Sequence, residues 1–156
     1  MEHNGKSRRH ALFERVLIVC TGNICRSPFA QAMLQELMPA AEVRSAGIAT
    51  DKSGLQGFPA EKSMIDVAKQ YHLDLSVHAA KQLTRQDCHW SDVIFIMHPD
   101  QLNGVANISR SARGKTFLLG QWDQGTIEDP FGQSIAEYQT AAKQIDAACQ
   151  AWLKKF

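Results

Sequence analysis

Val16-Leu17-Ile18-Val19-Cys20-Thr21-Gly22-Asn23-Ile24-Cys25-Arg26-Ser27-Pro28 decides how this chain is read. Its first four residues are branched and apolar, the pattern of a short strand buried on both faces. Ser27-Pro28 predicts a helix start, with Ser27 as N-cap and Pro28 at the first helical position. Strand, tight loop and helix N-terminus together turn backbone N–H groups toward an anion. A thiol, Cys20, stands at one lip of that loop and a guanidinium, Arg26, at the other.

These residue types suit one chemistry. A thiol attacks only as the thiolate, and a helix N-terminus, a ring of amides and a nearby arginine all favour that form. Cys20 is therefore expected to be ionised near neutral pH. Arg26 offers the planar fork that matches two phosphate oxygens. Gly22 allows a sharp turn, and Asn23 tolerates a left-handed backbone. The Ser27 hydroxyl is expected to cap the helix, to donate to the sulfur, or both. A zinc site built from Cys20, Cys25, Cys88 and His89 has spacings that fit no usual structural zinc pattern.

Outward from the loop, Phe29, Ala30, Met33, Leu34 and Leu37 recur at helical spacing, and Pro39 ends that helix. Residues 42–46 predict a second strand. The polar loop 48–58 follows it and is expected to form one wall of a pocket. Pro59 is expected to start a helix with Ala60, Met64, Val67, Ala68 and Tyr71 on one face. Leu73, Leu75 and Val77 alternate as an extended piece leading to His78. Residues 92–97 and 115–120 predict two further strands, with a short helix from His98-Pro99-Asp100 through Leu102 and Val105 between them. Ile135, Tyr138, Ala142, Ile145, Cys149, Trp152 and Phe156 mark a long amphipathic helix lying on the sheet. Strands alternating with helices imply a small doubly wound α/β fold with a parallel sheet.

Composition narrows the function classes. The chain has 156 residues, 44% hydrophobic and 21% charged, with a net charge of +1. A single domain over residues 11–156 is expected to follow a polar, flexible leader, residues 1–10. Lys6, Arg8 and Arg9 carry most of the basic excess, so nucleic acid is not an expected partner. No apolar run approaches the ~20 residues of a membrane helix, so no membrane insertion is expected. Four cysteines do not make a disulfide scaffold here, and a reducing cytoplasm is expected.

The segment Cys20 to Pro28 resembles the active-site loop of the low-molecular-weight protein tyrosine phosphatases. The resemblance continues through Ser45-Ala46-Gly47, through His78 with Lys81-Gln82-Leu83-Thr84, and through Glu128-Asp129-Pro130-Phe131-Gly132. It implies a sheet of four parallel strands flanked by helices on both faces, and phosphotyrosine hydrolysis through a phosphocysteine with no metal or other cofactor. Cys20 would be the nucleophile, Arg26 the phosphate clamp and Asp129 the general acid. Thr21, Gly22, Asn23, Ile24, Cys25 and Ser27 would complete the phosphate-binding loop. Asn23, Ser27, Ser45 and His78 would form the hydrogen-bond web behind it, and Phe131 the pocket rim. Taken alone, Asp129-Pro130 reads as a turn starter, with Pro130 holding Asp129 extended.

Several positions depart from the family pattern. Phe131 stands where many relatives carry Tyr, and Gly132 replaces a second aromatic of the eukaryotic branch. Gln31 replaces a usual Glu and Lys81 a usual Arg, both read as surface changes. His98 replaces a usual acid and is expected to alter the field near the site. Phe117 to Asp123 resembles bacterial members associated with capsule and exopolysaccharide synthesis, whose usual partner is the tyrosine-rich tail of an autophosphorylating kinase. Cys25 is a second thiol that can close a disulfide with oxidised Cys20 if the Cβ atoms approach within about 4 Å. Arsenate reductases share the loop but need closely spaced resolving cysteines, whereas Cys88 and Cys149 are far apart. Protein arginine phosphatases usually carry Thr at the position of Ile24. A phosphoprotein-binding module would keep the loop without turnover.

Overall fold

The computed structural model describes residues 13–156, so the expected leader lies outside the described residues. Four parallel strands, β1 (Arg15–Cys20), β2 (Glu42–Gly47), β3 (Val93–Ile96) and β4 (Thr116–Leu118), lie in the order β2-β1-β3-β4. β1 is central, pairing Ile18 with Ser45 on one side and with Phe95 on the other. The chain leaves β1 for β2 and returns across it to β3. Loops at the carboxyl ends of β1 and β3 therefore face the crevice where such sheets bind ligands.

Alternation along β1 divides the core. Val16, Ile18 and Cys20 pack on one face with α1 (Arg26–Leu37), α2 (Lys62–Lys69) and α5 (Ile135–Leu153). Leu17 and Val19 pack on the other with α3 (Arg85–Trp90) and α4 (Gln101–Ile108). Both faces of the strand are buried, which is why its sequence reads as an unbroken apolar run. Tyr138, Ala142, Ile145, Cys149 and Trp152 form the buried stripe of α5, while Ile135 is exposed and Phe156 lies past the helix end.

The structure differs from the sequence reading in several places. α1 begins at Arg26 with Cys25 as N-cap, so Ser27 sits inside the first turn and does not cap. Pro28 is tolerated there because first-turn N–H groups have no helical acceptor to lose. α2 begins at Lys62 rather than Pro59. Gly57 N donates to Ala80 O at 2.7 Å and Ala80 N to Phe58 O at 2.7 Å, and this pairing keeps the chain extended into Pro59. Leu73 and Leu75 are buried, but Val77 is 88% exposed and no strand forms. α3 is absent from the sequence reading although Thr84 and Asp87 form a complete capping box at its start. A 3-10 helix, Arg110–Lys115, also went unread.

Thr84→Ala removes one half of the capping box. It is expected to cost about 1 kcal/mol, lowering the thermal midpoint by about 2–4 °C in a chain this size, measurable by calorimetry.

Candidate active site

The loop from Cys20 to Cys25 is fixed from outside by its carbonyls. Cys20 O accepts from Ile48 N at 3.0 Å, Thr21 O from Ala49 N at 2.9 Å and Ile24 O from Glu61 N at 2.8 Å. Gly22 O accepts from Thr50 Oγ1 at 2.9 Å and Asn23 O from His78 Nε2 at 2.7 Å. In a trans peptide the carbonyl of one residue points opposite to the N–H of the next. Five carbonyls turned into the protein therefore turn the N–H groups of residues 21–25 to the concave side. Asn23 N meets Cys20 Sγ at 3.3 Å there, and among the described residues Gly22, Ile24 and Cys25 donate to no protein acceptor. That is an anion cradle built from backbone.

Local sequence explains how the turn closes. Asn23 takes the left-handed conformation, φ 65°, which its side chain tolerates better than most. A Cβ at Gly22 would lie 3.1 Å from Leu55 Cδ1, so glycine spares the Leu55 side chain a shift. Gly47 lets β2 approach, because its Cβ would meet Thr21 O at 2.8 Å and Gly22 C at 2.9 Å.

Behind the cradle runs a hydrogen-bond chain whose direction is determined. Gln31 Nε2 donates to Val43 O at 3.2 Å, which leaves Gln31 Oε1 to accept from Ser45 Oγ at 2.6 Å. Having given its proton to Gln31, Ser45 accepts from Asn23 Nδ2 at 3.0 Å. Asn23 Oδ1 accepts from Lys81 N at 2.9 Å, which fixes the orientation of the amide. Asn23 Nδ2 also donates to Ser27 Oγ at 2.7 Å. Ser27 Oγ, with its own proton not used by Asn23, lies within hydrogen-bond distance of Cys20 Sγ at 2.9 Å. Asn23, Ser27 and Ser45 are all buried, so each unmade bond would carry a desolvation penalty.

Arg26 enters from the first turn of α1. Its Nη1 donates to Ile127 O at 2.9 Å, and its Nη2 lies 3.8 Å from Asp129 Oδ2. Its Nε is buried with no protein partner, leaving one edge of the guanidinium to take an anion. Asp129 Oδ1 accepts from Phe131 N at 3.1 Å, an Asx turn that holds the half-exposed carboxylate over the loop. A cavity of about 340 Å³ is lined by residues 20–26 together with Ser53, Leu55, Asp129 and Phe131. Loop 48–58 thus supplies a wall, through Ser53 and Leu55. Ser27, Ser45 and His78 stand behind the cavity.

Around the loop, Cys25 and His78 are both moved from their ordinary range. The Cys25 thiol is pushed up to about 12, first by burial and then by the nearby charges of Asp129 and Cys20. Its sulfur lies 4.0 Å from Tyr138 Oη, and it stays protonated beside Cys20. His78 is held below the usual histidine range by burial, against a smaller opposing pull from Asn23 O. With Asn23 O able only to accept, the neutral ring carries its proton on Nε2.

Gln31 is not a surface change, because its side chain anchors the web; Lys81 gives Asn23 a backbone N–H that does not depend on its side chain, and its half-exposed ammonium pairs with Asp87. His98 turns its ring to Asp100, with Nδ1 accepting from Asp100 N at 3.1 Å, and does not line the cavity. Thr50 and Gln101 were missed by the sequence reading. Gln101 Oε1 accepts from Met97 N at 2.8 Å and its Nε2 donates to Thr21 Oγ1 at 3.2 Å, joining the end of β3 to the loop. Cys88 and Cys149 lie in the cores of opposite sheet faces.

Residues 15–156 match the low molecular weight phosphotyrosine protein phosphatase family. The low molecular weight protein-tyrosine-phosphatase Etp of Escherichia coli K12 is 36% identical over 144 residues, covering 92% of this chain and 95% of that protein. The solved structure of Vibrio vulnificus Wzb in complex with benzylphosphonate is 44% identical with a TM-score of 0.90, covering 92% of this chain and 99% of that one. The YwlE arginine phosphatase from Geobacillus stearothermophilus is 31% identical with a TM-score of 0.81, covering 91% and 92%. This chain belongs to the low molecular weight phosphotyrosine protein phosphatase family.

Gln31→Leu removes the acceptor that orients Ser45, and kcat/KM is expected to fall about tenfold, within the ~100-fold that a 1 Å misplacement can cost. Gln31→Glu keeps an acceptor and is expected to retain most activity. His78 binds a proton more readily unfolded than folded, so its contribution to stability is full above about pH 6.5. That contribution is lost as pH falls through the folded value. Thermal midpoints are expected to drop more steeply below pH 6.5 in the wild type than in His78→Gln.

Proposed function

We propose that this phosphatase hydrolyses phosphotyrosine in proteins, with Cys20 as nucleophile, Arg26 as phosphate clamp and Asp129 as proton donor. The observation that carries the reading is one cavity holding the Cys20 sulfur, the inward amides of residues 21–25, the open edge of Arg26 and the Asp129 carboxylate.

In the first step Cys20 Sγ attacks phosphorus, forming S–P as the P–O bond to the phenol breaks. Asp129 gives the departing oxygen its proton. The amides and Arg26 stabilise charge on the three equatorial oxygens, preorganised by the outward carbonyl bonds. In the second step water attacks phosphorus and gives its proton to Asp129, and phosphate leaves Cys20 as thiolate. Ile24, Leu55 and Phe131 border the cavity with apolar groups. They suit an aromatic ring better than the guanidinium of phosphoarginine, and the buried, separated Cys88 and Cys149 disfavour arsenate reduction.

The resemblance of Phe117–Asp123 to members associated with capsule and exopolysaccharide synthesis supports the tyrosine-rich tail of a bacterial tyrosine kinase as substrate. Cys25 has a protective role in this reading. Peroxide converts Cys20 to its sulfenic acid, and condensation with the Cys25 thiol gives a disulfide and water.

Cys20→Ser is expected to abolish turnover while phosphate still binds. Asp129→Ala is expected to slow phosphotyrosine peptides by about 10²- to 10⁴-fold. The loss should be smaller for para-nitrophenyl phosphate, whose leaving group needs no proton. Full activity of Cys20→Ser, or equal losses on both substrates for Asp129→Ala, would contradict these roles. Faster hydrolysis of phosphoarginine than of phosphotyrosine peptides would replace the substrate.

A further inference from the structure

A second groove, about 430 Å³, opens beside the catalytic cavity, and Ile24, Leu55 and Phe131 wall both. Phe58, Pro59 and Ile65 form its other side. Phe58 is 51% exposed and Phe131 56%, two large rings meeting water at the edges of one groove. The Phe58 ring does not stand out because its backbone is loose. Phe58 N donates to Leu55 O at 2.9 Å, and Phe58 O accepts from Ala80 N at 2.7 Å. Glu61 N donates to Ile24 O at 2.8 Å, so the start of α2 is tied to the catalytic loop and the two cavities keep a fixed spacing. Contiguous apolar surface held open in this way marks an interaction site.

We propose that this groove is a substrate subsite that takes an aliphatic or aromatic side chain one or two residues from the phosphotyrosine in the same polypeptide. The proposal rests on the phosphatase reading above. When a phosphotyrosine ring enters between Leu55 and Phe131, its backbone lies at their outer edge. An extended chain advances about 3.3 Å per residue, so the first and second neighbours reach across the shared wall. Charge selects the occupant as well. Glu61 borders the groove, and the Lys62 ammonium at its rim is turned to Asp66 at 3.2 Å, so an acidic neighbour meets a carboxylate. The groove accepts Leu or Phe and disfavours Asp.

The test is kcat/KM on phosphotyrosine peptides carrying Ala at all flanking positions, against peptides with one Leu, Phe or Asp at each of positions −2 to +2. Small apolar groups in a hydrophobic pocket discriminate by about 10- to 200-fold, and a half-open groove should lie near tenfold. At least one flanking position should show that gain with Leu or Phe and none with Asp. Phe58→Ser should remove the gain and Phe58→Leu retain it, with para-nitrophenyl phosphate turnover unchanged in both. An equal gain in Phe58→Ser, or no discrimination among neighbours by the wild type, would overturn the subsite. A dimer in sedimentation that Phe58→Ser dissolves would assign the groove to a second copy and overturn it too. If the wild type failed to turn over para-nitrophenyl phosphate, the phosphatase reading itself would fall, and the subsite with it.

Discussion

Five consecutive carbonyls, from Cys20 to Ile24, are bonded outward to Ile48, Ala49, Thr50, His78 and Glu61. Everything else about the site follows from that constraint. Peptide planarity converts outward carbonyls into inward N–H groups, so the donors face the concave side before any ligand arrives. The donors come from three different places: the loop after β2, the residue that caps α2, and the turn carrying His78. The loop is a product of tertiary structure as much as of its own sequence.

The same economy of fixed groups governs the side chains. From Gln31 through Ser45 to Asn23 each polar atom has one role left, and the chain ends on the Ser27 hydroxyl, 2.9 Å from the Cys20 sulfur. Arg26 spends one nitrogen on Ile127 O and keeps another edge unpaired in a buried setting. Such an edge is costly in the absence of an anion and strongly favours one when present. Asp129 belongs to the exposed side of the site, held by Phe131 N rather than by burial. Cys25 and Cys20 share the loop, yet burial keeps Cys25 as a neutral thiol.

Much of this was legible in the sequence where local pattern and tertiary environment agree. The branched run of β1 has apolar neighbours on both faces, and the three-and-four spacing of α5 turns its stripe into the core it shares with α1, α2 and one face of the sheet. Reading failed where a distant partner outcompeted a local preference. Ser27 has the chemistry of an N-cap, but Asn23 and Cys20 claim its hydroxyl. Pro59 has the chemistry of a helix start, but the pairing of residues 57 and 58 with Ala80 holds the chain extended. Gln31, Thr50 and Gln101 carry no local signature at all, because each contributes through a partner remote in sequence. α3 did carry one, in Thr84 and Asp87, but six residues are too few for periodicity to show.

The central claim is that phosphate passes through the Cys20 sulfur. Its most direct test is to mix the protein with a phosphotyrosine peptide, quench within milliseconds, and locate phosphate on the chain by mass spectrometry under conditions that preserve S–P bonds. The account predicts one phosphate on the peptide containing Cys20, at Cys20 and not Cys25, decaying as free phosphate appears. Phosphate release with no phosphoenzyme, or phosphate on any other residue, would contradict it.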